Sequence, residues 1–184
     1  MVGRIIVITG DGKGKTTSAM GLGFVSALTG KQVRAVQFLK GGGYTGEIFA
    51  SERFGDSFQI LQFGKQPENH EEIAAGAEKS RALFGENRKA EYAQEALAQA
   101  IKWVNDEAVD VLILDEVSHS INRSLIELST ITDLLQSKRL ELTVILTGRR
   151  MPVEIIALAD EATEAFPERH PMKKGIGARW GIEY

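Results

Sequence analysis

The sequence predicts an α/β domain with a mostly parallel central sheet flanked by helices. Short apolar runs alternate along the chain with segments of helical apolar spacing, as in strands joined by helical crossovers. One run, residues 109–115 (Val-Asp-Val-Leu-Ile-Leu-Asp), is almost continuously apolar, which is typical of a central parallel strand covered on both faces. Since 184 residues suit one core and no repeat or linker interrupts them, we expect residues 1–184 to form one domain.

A glycine-rich segment joins the first strand to the first helix. Residues 5–8 (Ile-Ile-Val-Ile) form a short apolar run, residues 9–17 read Thr-Gly-Asp-Gly-Lys-Gly-Lys-Thr-Thr, and residues 18–25 have a helical rhythm. A buried strand, a glycine turn and a helix in this order are the context of a phosphate-binding P-loop. The sequence therefore predicts a P-loop NTPase (RecA-like) domain. The loop departs from G-x-x-x-x-G-K-T, because Thr9 stands where the first glycine belongs and Gly10 makes the loop one residue tighter.

The residue types of this loop suit an anion. Glycines let successive backbone N–H groups turn toward a phosphate, and the helix N-terminus adds its positive dipole end. Lys15 supplies a mobile cation for the phosphate chain, and the Thr16 hydroxyl is placed to ligate Mg²⁺. The competing interpretation is a structural turn with a solvated lysine. The predicted nucleotide-binding residues of the loop are Gly10, Asp11, Gly12, Lys13, Gly14, Lys15, Thr16 and Thr17.

The remaining segments continue the alternation. The predicted elements are a strand at 31–40, a glycine-rich loop at 41–46, a short helix from there through 54, a strand at 58–63, a bent or broken helical region at 71–105, a helix at 124–138, a strand at 142–147, a helix at 152–159, a last central strand at 161–166, and a loop with a short edge strand at 168–184.

Polar side chains follow several of these strands. Asp115 and Glu116 emerge at the C-terminal end of a strand, at the sheet edge where the P-loop lies. One carboxylate, directly or through water, can hold the Mg²⁺ that Thr16 touches, although an acidic pair in this position could also cap a helix. Gln37, Lys40 and Arg149 are expected at the same edge as further nucleotide-binding residues, Arg149 as a phosphate or ribose contact. A solvated surface lysine is the competing interpretation of Lys40.

Composition narrows the function classes. The net charge is −3 with no basic block, which does not favour a sequence-independent grip on duplex nucleic acid. With no cysteine, disulfides and thiolate metal sites are excluded. The chain enters the first strand within four residues, and no apolar stretch approaches the roughly 20 residues of a membrane span. We expect a cytoplasmic protein without a signal peptide.

Taken together, the segments resemble the P-loop-type ATP:cob(I)alamin (corrinoid) adenosyltransferases. The matching pieces occur in family order over nearly the whole chain, and the tightened P-loop is itself characteristic of that family. They are residues 9–17, Val-Gln-Phe-Leu-Lys-Gly at 36–41, Leu-Asp-Glu at 114–116, Thr-Gly-Arg at 147–149, Leu-Ala-Asp at 158–160, and residues 177–184, which end in Gly-Ile-Glu-Tyr.

The resemblance implies that Co(I) of cobalamin or a precursor attacks the ribose C5′ of ATP and that the whole triphosphate leaves. The cobalt is the nucleophile, so no serine, cysteine or histidine needs to play that part. The implied catalytic residues are Lys15 and Glu116, and the implied Mg²⁺ ligands are Thr16, Asp115 and Glu116. The resemblance further implies ATP bound in reversed direction, a homodimer, and a flavoprotein reductase as one candidate source of Co(I).

The corrinoid side departs from the family pattern. Better-known members carry a Phe-x-Trp pair just after a glycine, whereas this chain has Gly-Lys-Gln-Pro at 64–67. Longer members also have an N-terminal segment over the corrinoid, and nine residues precede Gly10 here. We therefore expect ATP binding to follow the family and corrinoid binding to use other contacts.

Three alternatives share the P-loop. A small-molecule kinase or hydrolytic ATPase would transfer the γ-phosphoryl group and release ADP. A RecA-like nucleic-acid motor would need a basic surface. A nucleotide sensor would bind ATP without catalysis.

Overall fold

The computed structural model describes residues 2–41, 45–65 and 89–169 of the chain. Within them, strands and helices alternate as predicted. The helices are α1 (Lys15–Leu28), α2 (Gly46–Glu52), α3 (Ala90–Val104), α4 (Val117–Asn122), α5 (Leu128–Ser137) and α6 (Val153–Leu158), with a 3-10 turn at Gly55–Ser57. The strands are β1 (Ile5–Thr9), β2 (Val33–Phe38), β3 (Phe58–Phe63), β4 (Val111–Asp115), β5 (Thr143–Thr147) and β6 (Glu161–Glu164).

The six strands of the described residues form one sheet in the order β3-β2-β4-β5-β1-β6. Every neighbouring pair is parallel. Parallel neighbours require crossover connections, and each connection between successive strands contains a helix: α1, α2, α3, α4 with α5, and α6. Because all strands point the same way, the P-loop after β1 and the polar residues after β2, β4 and β5 meet at one sheet edge. The predicted parallel α/β architecture is confirmed.

Helices cover both faces of the sheet. On one face, α1 packs Ala19 and Met20 into a core cluster that contains Ile113 of β4. On the other, α3, α5 and α6 pack around Leu112 and Leu114 of the same strand. All five residues of β4 are buried, which confirms the double-sided burial expected from its apolar run.

Two predicted elements were wrong in detail. The helix expected at 124–138 begins at Leu128, and a separate short helix, α4, precedes it. Ser124 has a left-handed backbone with φ of 54°, and the Leu125 N–H donates to the Ser120 carbonyl, so this segment terminates α4 and does not begin the next helix.

The strand predicted as central at 161–166 is also different. It is β6, four residues long, and it lies at the edge of the sheet formed by the described residues, paired with β1. All four of its residues are exposed. Its Glu-Ala-Thr-Glu sequence lacks the apolar side chains that a strand covered on both faces would bury.

Part of the prediction lies outside the described residues: 42–44 of the glycine-rich loop, 71–88 of the long helical region, and 170–184 of the tail. Within the described ranges, every helix is too short or too polar to span a bilayer.

Candidate active site

The P-loop lies against the chain that follows β6. The Ala165 N–H donates to the Thr9 carbonyl at 2.8 Å, and the Gly12 N–H donates to the Ala165 carbonyl at 2.7 Å. Gly10 has φ of 99°, and a Cβ added there would come within 2.5 Å of the Ala165 carbonyl oxygen. Any side chain at Gly10 would push the loop off this support. The Gly12 amide is engaged in holding the loop.

Lys15, the first residue of α1, closes back on the loop. Its side chain is almost fully buried, and its Nζ donates to the Gly12 carbonyl at 2.7 Å. Burial lowers the pKa of the Lys15 ammonium, and the nearby Glu116 carboxylate offsets part of this effect. A buried cation bonded to one carbonyl retains two further N–H donors for an anion.

Asp115, at the end of β4, is the centre of the site. Its carboxylate is completely buried and accepts four hydrogen bonds. Thr16 and Thr147 donate to Oδ1 at 2.8 and 2.7 Å, while Lys40 and Gln37 donate to Oδ2 at 2.7 and 3.0 Å. A buried charge is tolerated only when it is paired and hydrogen-bonded, and this one is both.

The charge state of this centre follows from its contacts. Burial by itself raises the pKa of the Asp115 carboxyl, but the Lys40 ammonium and the hydrogen bonds from Lys40, Thr147 and Thr16 prevail and hold it below its usual value. Burial likewise opposes the charged form of Lys40, yet Asp115 and Glu47 raise the pKa of its ammonium above the usual value. Both groups are therefore ionised at neutral pH.

A row of polar side chains crosses the sheet into this centre. Strand register places Gln62 of β3, Gln37 of β2 and Asp115 of β4 side by side. Gln37 is fully buried; its Oε1 accepts from Gln62 Nε2 at 2.8 Å, and its Nε2 donates to Asp115 and, at 3.1 Å, to Glu47 of α2. One amide thus connects β3, α2 and the end of β4.

Glu116 stands at the turn from β4 into α4. Its backbone is left-handed, with φ of 61°, a conformation that costs about 1–3 kcal/mol for a residue other than glycine. The Thr147 hydroxyl accepts the Glu116 N–H at 3.0 Å and so supports this turn. The Glu116 carboxylate lies 3.4 Å from His119 Nδ1 and is one-quarter exposed. It is the more accessible carboxylate of the acidic pair.

Arg149 is carried by a turn that α4 holds in place. The Arg149 carbonyl accepts hydrogen bonds from Ser118 Oγ at 2.8 Å and Asn122 Nδ2 at 3.2 Å. Its guanidinium reaches over the P-loop to within 3.8 Å of the Asp11 carboxylate. Both side chains of this pair are more than half exposed, so the pair adds little stability and either partner is available to a ligand.

The structure brings most of the sequence-predicted residues to one place. Thr16, Gln37, Lys40 and Asp115 are in direct contact, with Glu116 next along the chain. Lys15 and the Arg149–Asp11 pair lie on the P-loop side of this cluster. The predicted loop residues Lys13, Gly14 and Thr17 are exposed there.

Sequence reasoning assigned no site role to three residues of the cluster. Thr147 ends β5 beside Asp115, and the rule that parallel strands meet at one edge could have found it. Gln62 could have been found only from the strand register. Glu47 reaches the centre from α2, and nothing in its sequence context indicates this.

The donor set suits a divalent cation that takes only one or two ligands from the protein. In the described parts of the chain, no cluster of three or more His, Cys, Asp or Glu side chains could hold a metal. Mg²⁺ seldom needs such a cage, since one or two side chains plus phosphates and waters complete its shell. The Thr16 hydroxyl donates its one hydrogen bond to Asp115, which leaves its oxygen lone pairs for a cation. Glu116 supplies an accessible carboxylate.

Comparison with solved structures supports the fold. The flagellar accessory protein FlaH from Methanocaldococcus jannaschii is similar in structure, with a TM-score of 0.60, at 14% sequence identity; the match covers 89% of this chain and 71% of that one. At this identity the likeness concerns the fold alone. The six-stranded parallel sheet of the described residues, with the P-loop after β1, is consistent with the predicted P-loop NTPase, RecA-like fold class.

Sequence comparison goes further. The corrinoid adenosyltransferase of Escherichia coli K12 is 32% identical over 184 residues, covering 99% of this chain and 86% of the relative. Corrinoid adenosyltransferase CobA of Salmonella typhimurium LT2 is also 32% identical, with the same coverage of both chains. The family model described as ATP:corrinoid adenosyltransferase BtuR/CobO/CobP matches residues 1–184. The chain therefore belongs to the ATP:corrinoid adenosyltransferase family.

Proposed function

We propose that the cluster around Asp115 and the P-loop is the site where this chain binds ATP and drives the departure of its triphosphate. As a family member the protein is a transferase with ATP and a corrinoid as substrates, acting in adenosylcobalamin synthesis. The observation that carries the site assignment is the 2.8 Å hydrogen bond between Thr16 of the P-loop helix and Asp115. It joins the helix that follows the phosphate-binding loop directly to the acidic strand end.

The chemistry asks the protein for charge stabilisation. Adenosyl transfer from C5′ of ATP to Co(I) makes a carbon–cobalt bond and breaks the bond from C5′ to the triphosphate oxygen. Negative charge grows on the leaving triphosphate, and preorganised cations and N–H groups placed there lower the barrier. Lys15 is suited to this task, because it is buried against the loop and retains donors. Arg149 is placed to contact phosphate or ribose from the loop's outer side.

Mg²⁺ would be held by the Thr16 hydroxyl and Glu116, with Asp115 orienting Thr16 from behind. The four donors already on Asp115 make it a poorer direct ligand than Glu116, which is one-quarter exposed. When bound, the ion supplies positive charge to the triphosphate. The other predicted nucleotide contacts, Lys13, Gly14 and Thr17, are exposed on the loop, where a phosphate chain can reach them.

Corrinoid contacts are proposed to differ from the Phe-x-Trp arrangement. Of the corresponding stretch, Gly64 and Lys65 lie within the described residues and 66–67 lie outside them. We propose further that residues 1–184 form one domain, that the protein acts as a cytoplasmic homodimer, and that a reductase such as a flavoprotein supplies Co(I). Sedimentation of the purified protein tests the dimer, and cell fractionation tests the location.

The decisive experiment is an anaerobic assay with ATP, Mg²⁺ and chemically reduced cob(I)alamin. The expected result is a light-sensitive carbon–cobalt bond, seen in the cobalt spectrum, with release of triphosphate. Lys15→Ala should abolish it, whereas Lys102→Ala, which removes an exposed lysine of α3, should not. ADP and phosphate with an unchanged cobalt spectrum would instead indicate a kinase or ATPase. ATP binding without turnover would indicate a sensor.

A further inference from the structure

The Lys40 ammonium lies beside Asp115 and Thr16, where a metal ion held by the Thr16 hydroxyl would also lie. Its Nζ is 2.7 Å from Asp115 Oδ2 and 3.5 Å from Thr16 Oγ1. An ammonium at this spot would repel a divalent cation on the Thr16 hydroxyl, because the two like charges would be only a few ångströms apart beside a fully buried carboxylate. The Lys40–Asp115 contact therefore opposes the arrangement needed with Mg²⁺ bound.

Glu47 offers Lys40 a second partner. Its Oε1 is 3.8 Å from the same Nζ, which is close enough for an ion pair but too far for a short hydrogen bond. The Glu47 side chain is 17% exposed and is held beside Asp115 by Gln37, whose amide donates to both carboxylates. Lys40 therefore lies between two carboxylates that one buried amide keeps together.

We propose that Lys40 is a displaceable cation and that Glu47 is the carboxylate that receives it. In the nucleotide-free protein Lys40 neutralises the buried Asp115. When ATP brings Mg²⁺ to the Thr16 side of Asp115, the metal takes over the neutralisation and Lys40 turns to Glu47 by rotation of its flexible side chain. Glu47 is thus a positioning residue. The inference depends on the proposed function insofar as the site takes ATP with Mg²⁺.

The order of events follows from the burial of Asp115. Removing Lys40 without a replacement would leave an uncompensated charge in the interior, which is strongly unfavourable. Mg²⁺ alone, without the phosphates that complete its shell, binds too weakly to displace an ammonium already bonded to Asp115, because it dehydrates reluctantly. Lys40 therefore keeps free Mg²⁺ out of the nucleotide-free site, and Glu47 lowers the cost of its departure when the nucleotide arrives.

One test is the response of Lys40→Met to Mg²⁺ in the absence of nucleotide. Methionine replaces the four-atom stem of the lysine side chain, lacks the ammonium, and so leaves Asp115 without a cation. Thermal unfolding is measured in saturating MgCl₂ and in EDTA. We expect no shift for the wild type and a rise of about 3 °C with Mg²⁺ for the variant. Equal responses of the two proteins would overturn the proposal.

The second test does not depend on the folding of that variant. Calorimetry measures the affinity for ATP with Mg²⁺ and with EDTA for Glu47→Gln, and for Glu52→Gln as a control at an exposed position of the same helix. We expect the gain in ATP affinity from Mg²⁺ to fall about tenfold in Glu47→Gln and to be unchanged in the control. An unchanged gain in Glu47→Gln would refute the role of Glu47.

The cobalt assay separates this failure from a failure of the function. If the wild type makes the carbon–cobalt bond, the proposed function stands. If in addition Lys40→Met responds to Mg²⁺ like the wild type and Glu47→Gln gains as much affinity from Mg²⁺ as Glu52→Gln, the displacement is overturned. A wild type that binds no ATP would overturn both.

Discussion

Thr147 offers the sharpest test of how the site is built. Its buried hydroxyl has two partners, since it donates to Asp115 Oδ1 at 2.7 Å and accepts the Glu116 N–H at 3.0 Å. Thr147→Val replaces the hydroxyl by a methyl group of similar size, so no cavity forms. The change therefore isolates these two hydrogen bonds.

The expected magnitude follows from those partners. A hydrogen bond to a charged group contributes about 1.5–3 kcal/mol, and a buried N–H left without an acceptor costs about 1–3 kcal/mol. Local relaxation recovers part of the sum, so we expect the free energy of unfolding to fall by about 3 kcal/mol. With a urea m-value near 2 kcal/mol/M, the unfolding midpoint should fall by roughly 1.5 M.

Urea unfolding at neutral pH measures the effect, and Thr143→Val is the matched control. Thr143 begins the same strand, is half-buried, and accepts one longer hydrogen bond, from the Arg4 N–H at 3.3 Å. We expect that variant to lose less than about 1 kcal/mol. Equal losses in the two variants would refute the idea that Thr147 stabilises the chain through Asp115 and Glu116.

Two further predictions concern the charge of Asp115 and the backbone at Gly148. Because the pKa of Asp115 is lowered on folding, chiefly by Lys40, this group adds stability above about pH 4 that disappears as the pH falls through its folded pKa. The urea midpoint of Lys40→Met should therefore fall less between about pH 7 and about pH 3 than that of the wild type. An equal fall in both proteins would contradict this prediction. Gly148 has φ of 141°, and a Cβ there would lie 2.0 Å from Ser118 Oγ. Gly148→Ala should therefore lower the free energy of unfolding, measured by thermal unfolding, by about 2–4 kcal/mol. Gly30 also has positive φ, but a Cβ there would meet no atom within 4 Å, so Gly30→Ala should lower the free energy of unfolding by only about 1–2 kcal/mol. A smaller loss for Gly148→Ala than for Gly30→Ala would argue against the close approach of Gly148 to Ser118.

What the site shares with the sequence prediction is local in origin. The P-loop is read from nine consecutive residues, and β4 from one apolar run that ends in Asp115. Short-range signals of this kind depend on the apolar pattern and the backbone freedom of a few neighbours. They suffice to place the P-loop and the acidic pair at the same sheet edge, because parallel strands share a direction.

Other features depended on pairing between distant segments. Gln62, Gln37 and Asp115 form a row only because β3, β2 and β4 are neighbours in a particular register. A shift of one residue would turn each side chain to the opposite face. Similarly, β6 could be recognised as a strand from its neighbourhood, but only the strand order places it at the edge beside β1.

The sequence by itself thus determined the fold class, through the alternation of apolar runs and helical segments along the chain. It also determined the phosphate loop and the acidic strand end, since each of these two is encoded within about ten neighbouring residues. Only the tertiary structure decided that Lys40 pairs with Asp115, that Glu47 lies within reach of the same ammonium, and that Thr147 supports the turn at Glu116. These contacts join segments up to 75 residues apart for Lys40 and Asp115, and side-chain identity does not specify which long-range partner a charge will meet. Because Asp115 is buried, its carboxylate needs hydrogen-bond donors from the protein, and the packing of the strands determines which donors lie within reach.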